Sequence, residues 1–118
     1  MSDYKFTMPW APSVNSCWMH TRCGVKLSKR GRKYRNDAIA RLTDLGLSNE
    51  LIECDVRVSI VLNPPTLRRY DIDNFNKSLF DALTHAKFWL DDEQVVELNV
   101  KKGVKTKGGN VLVKVTVL

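Results

Sequence analysis

Hydrophobic and polar positions along the chain fall into four strand-like runs and two helical stripes. Tyr4, Phe6 and Met8 alternate with Lys5 and Thr7, the period of a half-buried strand, and Pro9 ends it. Residues 9–16, PWAPSVNS, read as a proline-stiffened extended loop, which Cys17 to Leu27 continues without clear periodicity. Ser28 is a candidate N-cap for a helix whose apolar stripe is Tyr34, Ala38, Leu42 and Leu45, with Gly46 as its stop. Gly31 weakens the first turn and moves the expected start toward Arg32. Cys54, Val56, Val58, Ile60 and Leu62 then alternate with polar residues up to Asn63-Pro64-Pro65, which ends that strand. A second helix carries Phe75, Leu79, Ala82, Leu83 and Ala86, with Asp71, Asp73 or Asn74 as its cap. Phe88, Trp89 and Leu90 leave that stripe and pack where the chain turns at Asp91-Asp92. Val96, Leu98 and Val100 make a third alternation. Lys107-Gly108-Gly109-Asn110 signals a hairpin turn, and Val111, Val113, Val115 and Val117 form one β-branched face. The expected order is β-α-β-α-β-β, an α/β (α+β) fold in which two amphipathic helices pack on one small mixed sheet.

The length, 118 residues, suits one domain over residues 1–118. No apolar run approaches the roughly 18 residues of a membrane span, and the start lacks a signal-peptide pattern, so the expected compartment is cytoplasmic with no membrane partner. Three cysteines without a CxxC pair argue against a disulfide framework.

Charge changes the picture more. The net charge is +6 and the pI about 9.4, which favours an anionic partner. Arg22, Lys26, Lys29, Arg30, Arg32, Lys33 and Arg35 follow one another with no acid between them, and Lys101, Lys102, Lys105 and Lys107 form a second group. Between the two patches, from Asp71 to Glu97, lie seven of the 13 acidic residues. Acidic residues gathered on a basic protein suggest a metal site on a surface built for polyanions.

On an extended approach to the helix, Asp71 and Asp73 point to one side. Two or three such carboxylates suffice for Mg²⁺, which keeps several waters. The metal would activate a water and stabilise charge on a phosphodiester. Lys77, four residues after Asp73, either contacts the scissile phosphate or pairs with Asp73. Asp91 and Asp92 follow after about five turns, roughly 27 Å along an ideal helix, a separation that forbids a shared site unless the helix is shorter than its pattern or the chain doubles back. Taken singly, Asp71 reads as a cap, Asp91-Asp92 as a turn, and Lys77 as a solvated cation.

These residues together resemble the RusA family of Holliday-junction resolvases. The resemblance rests on Arg68-Arg69-Tyr70-Asp71-Ile72-Asp73-Asn74, Lys77, the FDALT run Phe80–Thr84, the FWLDD run Phe88–Asp92, and Gln94-Val95-Val96. It extends to the PWAPSVN loop, the Tyr34-Arg35 helix and the Thr106-Lys107-Gly108-Gly109 turn, and so covers nearly the whole chain. It implies an intertwined homodimer that binds four-way DNA junctions and makes paired symmetric nicks with Mg²⁺, Mn²⁺ substituting, in DNA recombination and repair. It implies Asp71, Asp73 and Asp92 as catalytic carboxylates and metal ligands, with Lys77 assisting, and it implies that Asp92 meets the other two within a subunit or across the dimer. Backbone contacts are then expected from Arg68, Arg69, the Arg22–Arg35 cations and the four C-terminal lysines. No small-molecule substrate is expected. Tyr70 departs from the family by standing where another arginine is common, and residues 17–23 are less basic than usual.

Two readings compete with this one. A non-catalytic nucleic-acid-binding module would leave the aspartates as caps and turns, and a metal-dependent nuclease for other branched or linear DNA would keep the chemistry and change the substrate. Separately, Cys17, His20 and Cys23 have the spacing C-x2-H-x2-C, three zinc ligands that would need Cys54 or His85 as a fourth. An ordinary loop is the favoured reading there. Asp81, Glu93 and Glu97 are expected to be surface charges, with His85 paired to Asp81.

Overall fold

A computed structural model describes residues 3–118. Six strands and three α-helices follow in the order β1 (Asp3–Pro9), α1 (Val14–Cys17), β2 (Trp18–Thr21), β3 (Gly24–Leu27), α2 (Lys29–Asp44), β4 (Val56–Asn63), α3 (Asn76–His85), β5 (Val95–Lys102) and β6 (Asn110–Val117). A 3-10 turn, Asp92–Gln94, leads into β5. The main sheet is mixed, in the order β1-β6-β4-β5, with β5 parallel to β4 and the other pairs antiparallel. The sheet residues Phe6, Met8, Val56, Val58, Ile60, Leu62, Val111, Val113 and Val115 share one buried cluster with Tyr34, Ala38 and Leu42 of α2 and Leu79, Ala82 and Leu83 of α3. The α+β class with two amphipathic helices on a mixed sheet is therefore as expected. Among the described residues no helix is long and apolar enough to cross a membrane.

The structure corrects several local expectations. Residues 18–27 are a two-stranded hairpin, β2–β3, rather than a loop. Its strands are too short for a period to show, and Met19 and Val25 stand exposed, so no buried face marks it. Cys54 precedes β4 and is exposed, and Leu45 caps α2 in solvent. Helix α2 begins at Lys29, not near Arg32: the Ser28 hydroxyl accepts from the Gly31 N–H at 3.0 Å and donates to the Ser16 carbonyl at 2.6 Å. Gly31 is buried where any Cβ would collide with the Cys17 carbonyl, so its place in the first turn follows from close approach. The Gly46 stop holds: its φ is +73°, and Leu47 N–H bonds back to the Leu42 carbonyl at 2.8 Å.

The hairpin expected around Lys107–Asn110 does not join β5 to β6. The turn forms, but β6 inserts between β1 and β4, where Val111, Val113 and Val115 are buried, and β5 is left at the far edge. There Val96 and Leu98, expected to lie on a buried face, are 57% and 42% exposed. The zinc reading finds no support in the placement. Cys17 is buried while Cys23 and Cys54 are exposed, and among the described residues no three His, Cys, Asp or Glu side chains gather closely enough to hold a metal ion.

Candidate active site at the two ends of α3

Helix α3 runs for ten residues, Asn76–His85, about 15 Å of rise, little more than half the length its apolar pattern allowed. Its N-terminus departs furthest from the expected capping pattern. The N-cap is Phe75, and no side chain caps it. Asp71, Asp73 and Asn74 instead belong to an approach turn, closed by Asn74 N–H to the Asp71 carbonyl at 3.2 Å. The apolar stripe explains this: Phe75 is buried between Trp10 and Tyr70, with ring centroids 4.8 and 5.7 Å away. Two further bonds pin the turn to the opening loop, Val14 N–H to the Asn74 carbonyl at 2.8 Å and the Ser78 hydroxyl to the Pro12 carbonyl at 3.2 Å. Backbone and aromatic contacts thus hold the turn, and both carboxylates are left over. Asp71 and Asp73 are exposed and take part in none of the ion pairs or side-chain hydrogen bonds of the described residues.

Cations surround that turn. Arg68, Arg69, Tyr70, Asp71, Asn74 and Lys102 line an open cleft of about 480 Å³. Beside it, a larger cleft of about 690 Å³ brings in Trp10, Arg30 and Lys33 with Arg68 and Arg69. Lys102 donates to the Tyr70 carbonyl at 2.8 Å and lies 4.5 Å from the centroid of its ring. Tyr70 thus couples the end of β5 to the approach turn. Lys77 does not pair with Asp73; its ammonium lies 4.7 Å from the centroid of Trp18, a cation–π contact.

The other end of α3 is pinned tightly. Lys87 has φ +60°; its N–H bonds the Thr84 carbonyl, and Phe88 N–H bonds the Leu83 carbonyl, both at 3.0 Å, which is a Schellman reversal. The reversal sends Phe88 and Trp89 into the core, where Trp89 Nε1 donates to Thr84 Oγ1 at 2.8 Å. Gln94 then fixes the following turn. Its Oε1 accepts from the N–H groups of Leu90 and Asp91 at 3.0 and 2.9 Å, and its Nε2 donates to the carbonyls of Ile52 and Cys54 at 2.8 Å each. Gln94 had no role in the sequence reading beyond the family pattern. The Asp-x-x-Gln spacing from Asp91 is the signal that would have found it.

Asp92 sits on that turn. Although Asp92 is exposed, partial desolvation pushes its carboxyl above the usual aspartate range, aided by a hydrogen bond with Asp91 and by the negative charges of Asp91 and Asp81. Asp81 is more than a surface charge, because half-buried Arg35 donates to it from Nε and Nη2 at 3.0 and 2.7 Å. His85, as expected, lies within reach of Asp81, at 3.6 Å. Within one copy, then, Asp92 keeps company with Asp81 and Asp91, and the described residues contain no three-carboxylate cluster with Asp71 and Asp73.

The remaining candidate cations are mostly free on the surface. Arg22 lies at the tip of the β2–β3 hairpin, and Lys26, Lys29, Arg30, Lys101, Lys105 and Lys107 are exposed. Three are committed elsewhere: Arg32 to the Leu27 carbonyl at 2.8 Å, Lys33 to Asp37 at 2.7 Å, and Arg35 to Asp81.

The profile of endodeoxyribonuclease RusA matches residues 9–117. The crossover junction endodeoxyribonuclease RusA of Escherichia coli K12 is 40% identical over 116 residues, which is 98% of this chain and 96% of that protein. The crossover junction endodeoxyribonucleases of Enterobacteria phage 82 and Shigella sonnei match with the same identity and the same coverage.

Proposed function

The chain belongs to the endodeoxyribonuclease RusA family, and from that premise we propose that it is a crossover junction endodeoxyribonuclease resolving Holliday junctions. In this reading one domain, residues 1–118, acts as a cytoplasmic homodimer that makes paired nicks with Mg²⁺, for which Mn²⁺ substitutes. A two-fold enzyme suits a junction that needs two matched cuts.

One observation carries the reading: among the described residues Asp71 and Asp73 cap no helix and pair with no cation, and Asp71 lines a cleft together with Arg68, Arg69 and Lys102. Uncommitted carboxylates amid cations fit a hard metal ion. Their oxygen donors suit Mg²⁺, which would be held by Asp71 and Asp73 with Asp92 as the third ligand. When bound, the ion supplies Lewis-acid stabilisation and an activated water.

The chain's own residues do the rest. Arg68 and Arg69 bind phosphates flanking the cut, Arg30 extends the track toward α2, and Arg22 and Lys26 continue it along the hairpin. Lys77, steadied by Trp18, places its ammonium to offset charge developing on the cleaved phosphate. Lys102 holds Tyr70 and with it the Asp71 turn. Lys101, Lys105 and Lys107 add backbone contacts, so affinity falls as salt rises.

The test compares wild type with Asp71→Asn on four-way and linear DNA, with and without Mg²⁺. Junction binding should survive the substitution while cutting is lost. Undiminished cutting by Asp71→Asn would remove the aspartate from the mechanism, and equal affinity for linear duplex would remove the junction as substrate.

A further inference from the structure

The cleft of about 690 Å³ beside the Asp71 turn has walls that phosphate binding does not use. Arg30, Arg68 and Arg69 supply its charge, but Trp10, Pro9, Pro12, Pro64 and Pro65 line it as well. Buried Tyr34 shares the lining, and its hydroxyl has no hydrogen-bond partner among the described residues. A track for the sugar-phosphate backbone alone needs cations. A ring among prolines offers something different, a flat apolar surface on which another ring can stack.

That surface is braced from several elements. Phe75 and Tyr70 pack against the Trp10 ring, with centroids 4.8 and 5.7 Å away. The loop that carries Trp10 is tied to α3 by the Ser78 hydroxyl, which donates to the Pro12 carbonyl at 3.2 Å. The turn at 106–109, which links β5 to β6 although those strands do not pair, supplies a further brace. Thr106 N–H bonds the Pro64 carbonyl at 2.9 Å, and Gly109 N–H bonds the Thr106 carbonyl at 2.8 Å. Gly109, with φ +70°, passes so close that a Cβ there would lie 2.8 Å from Pro65 Cδ and 3.0 Å from Trp10 Cβ. A ring already fixed by its neighbours loses little further freedom when a ligand stacks on it.

Size and position select the ligand. The volume lies in the range of clefts that take one small molecule, which suits a single nucleotide and excludes a duplex. Arg68, Arg69, Tyr70 and Asn74 line both this cleft and the one that contains Asp71, so an occupant lies next to a phosphate bound at Asp71. A base inside a stacked duplex cannot reach such a wall. A base at a branch point has already lost part of its stacking and is turned out at lower cost.

We propose that the Trp10 cleft takes one nucleobase turned out of the duplex at the branch point, with the base against Trp10 and its flanking phosphates on Arg30 and Arg68. The inference rests on the junction-nuclease reading above and deepens it. Linear duplex offers the same contact only after unstacking, so the cleft is a source of preference for branched DNA.

An abasic scan tests this on the wild-type protein. Bases next to the branch point are removed one at a time, and junction affinity is measured without Mg²⁺ so that no strand is cut. Removal of one particular base per bound strand should lower affinity about 10-fold, and the same lesion in linear duplex should have no such effect. Trp10→Leu should lower affinity for the intact junction by a similar factor, and removing that base should then cost less than about twofold more. Uniform affinity across the scan would overturn the inference while leaving the loss of cutting by Asp71→Asn, and with it the nuclease reading, intact. Losses that multiply in Trp10→Leu would place the base elsewhere and overturn the assignment to this cleft. Weakening by Arg30→Gln, with abasic junctions bound as well as intact ones, would make the cleft a phosphate track only and overturn it too.

Discussion

The two ends of α3 hold acidic residues under opposite constraints. At the N-terminal end the backbone is anchored by Val14, Ser78 and three aromatic rings, and the carboxylates of Asp71 and Asp73 are left without partners. At the C-terminal end nearly every polar group is engaged: Gln94 makes four bonds, Trp89 reaches Thr84, and Arg35 holds Asp81. Asp92 sits on that turn with its charge disfavoured by partial desolvation and by two neighbouring carboxylates. One end presents uncommitted carboxylates and the other a carboxylate held on a fixed turn. A cation from outside would satisfy both.

The largest effect that sharpens this contrast is chemical. Asp71→Asn should lower junction cleavage by several kcal/mol of transition-state stabilisation, roughly 100-fold or more in rate, measured in single turnover with binding followed by gel shift. Weakened binding with unchanged cutting would contradict it. Next comes the pinned end. Gln94→Ala removes four hydrogen bonds of a buried side chain, leaving the Asp91 N–H and the Cys54 carbonyl without their partner and the Leu90 N–H and Ile52 carbonyl with only their 3.3 Å bond to each other, and should cost about 3 kcal/mol in urea unfolding. A loss below about 0.5 kcal/mol would show that the turn holds itself without the glutamine. Lys87→Gly relieves the positive φ at the helix reversal and should raise stability by about 1 kcal/mol, visible as a thermal shift of roughly 4 °C. A fall in melting temperature would mean that the Lys87 side chain contributes more than its backbone strain costs. The smallest effect is the sharpest structurally: Asp73→Ala should change stability by no more than about 0.5 kcal/mol, because Asp73 caps nothing. A drop of about 1 kcal/mol would restore the capping role.

How much of this was readable in the chain depended on whether a side chain's role is periodic. The stripes Tyr34-Ala38-Leu42 and Phe75-Leu79-Leu83, the β4 alternation and the Gly46 stop were legible because burial repeats at the element's period. The β2–β3 hairpin was not, since four-residue strands with exposed Met19 and Val25 carry no periodic signal. Nor was the strand order, because the valines of β6 would serve a hairpin with β5 as well as the central position they occupy. Asp71 and Asp73 were legible as acids near a helix start, but their freedom from capping depended on Phe75 taking the boundary. Lys77 over Trp18 joins residues far apart in sequence, which no spacing rule reaches. The separation of Asp92 from Asp71 was anticipated from helix length, and shortening α3 to ten residues did not bring the three together within one copy.

The central proposal, that Asp71, Asp73 and Asp92 share one metal ion although they sit at opposite ends of α3, can be tested by replacing Mg²⁺ with Fe²⁺ and mapping where hydroxyl radicals cut the polypeptide. The account predicts backbone cuts in both segments, 70–74 and 90–93, with both sets suppressed together by excess Mg²⁺. Cuts confined to one segment, or cuts that Mg²⁺ does not suppress, would contradict it.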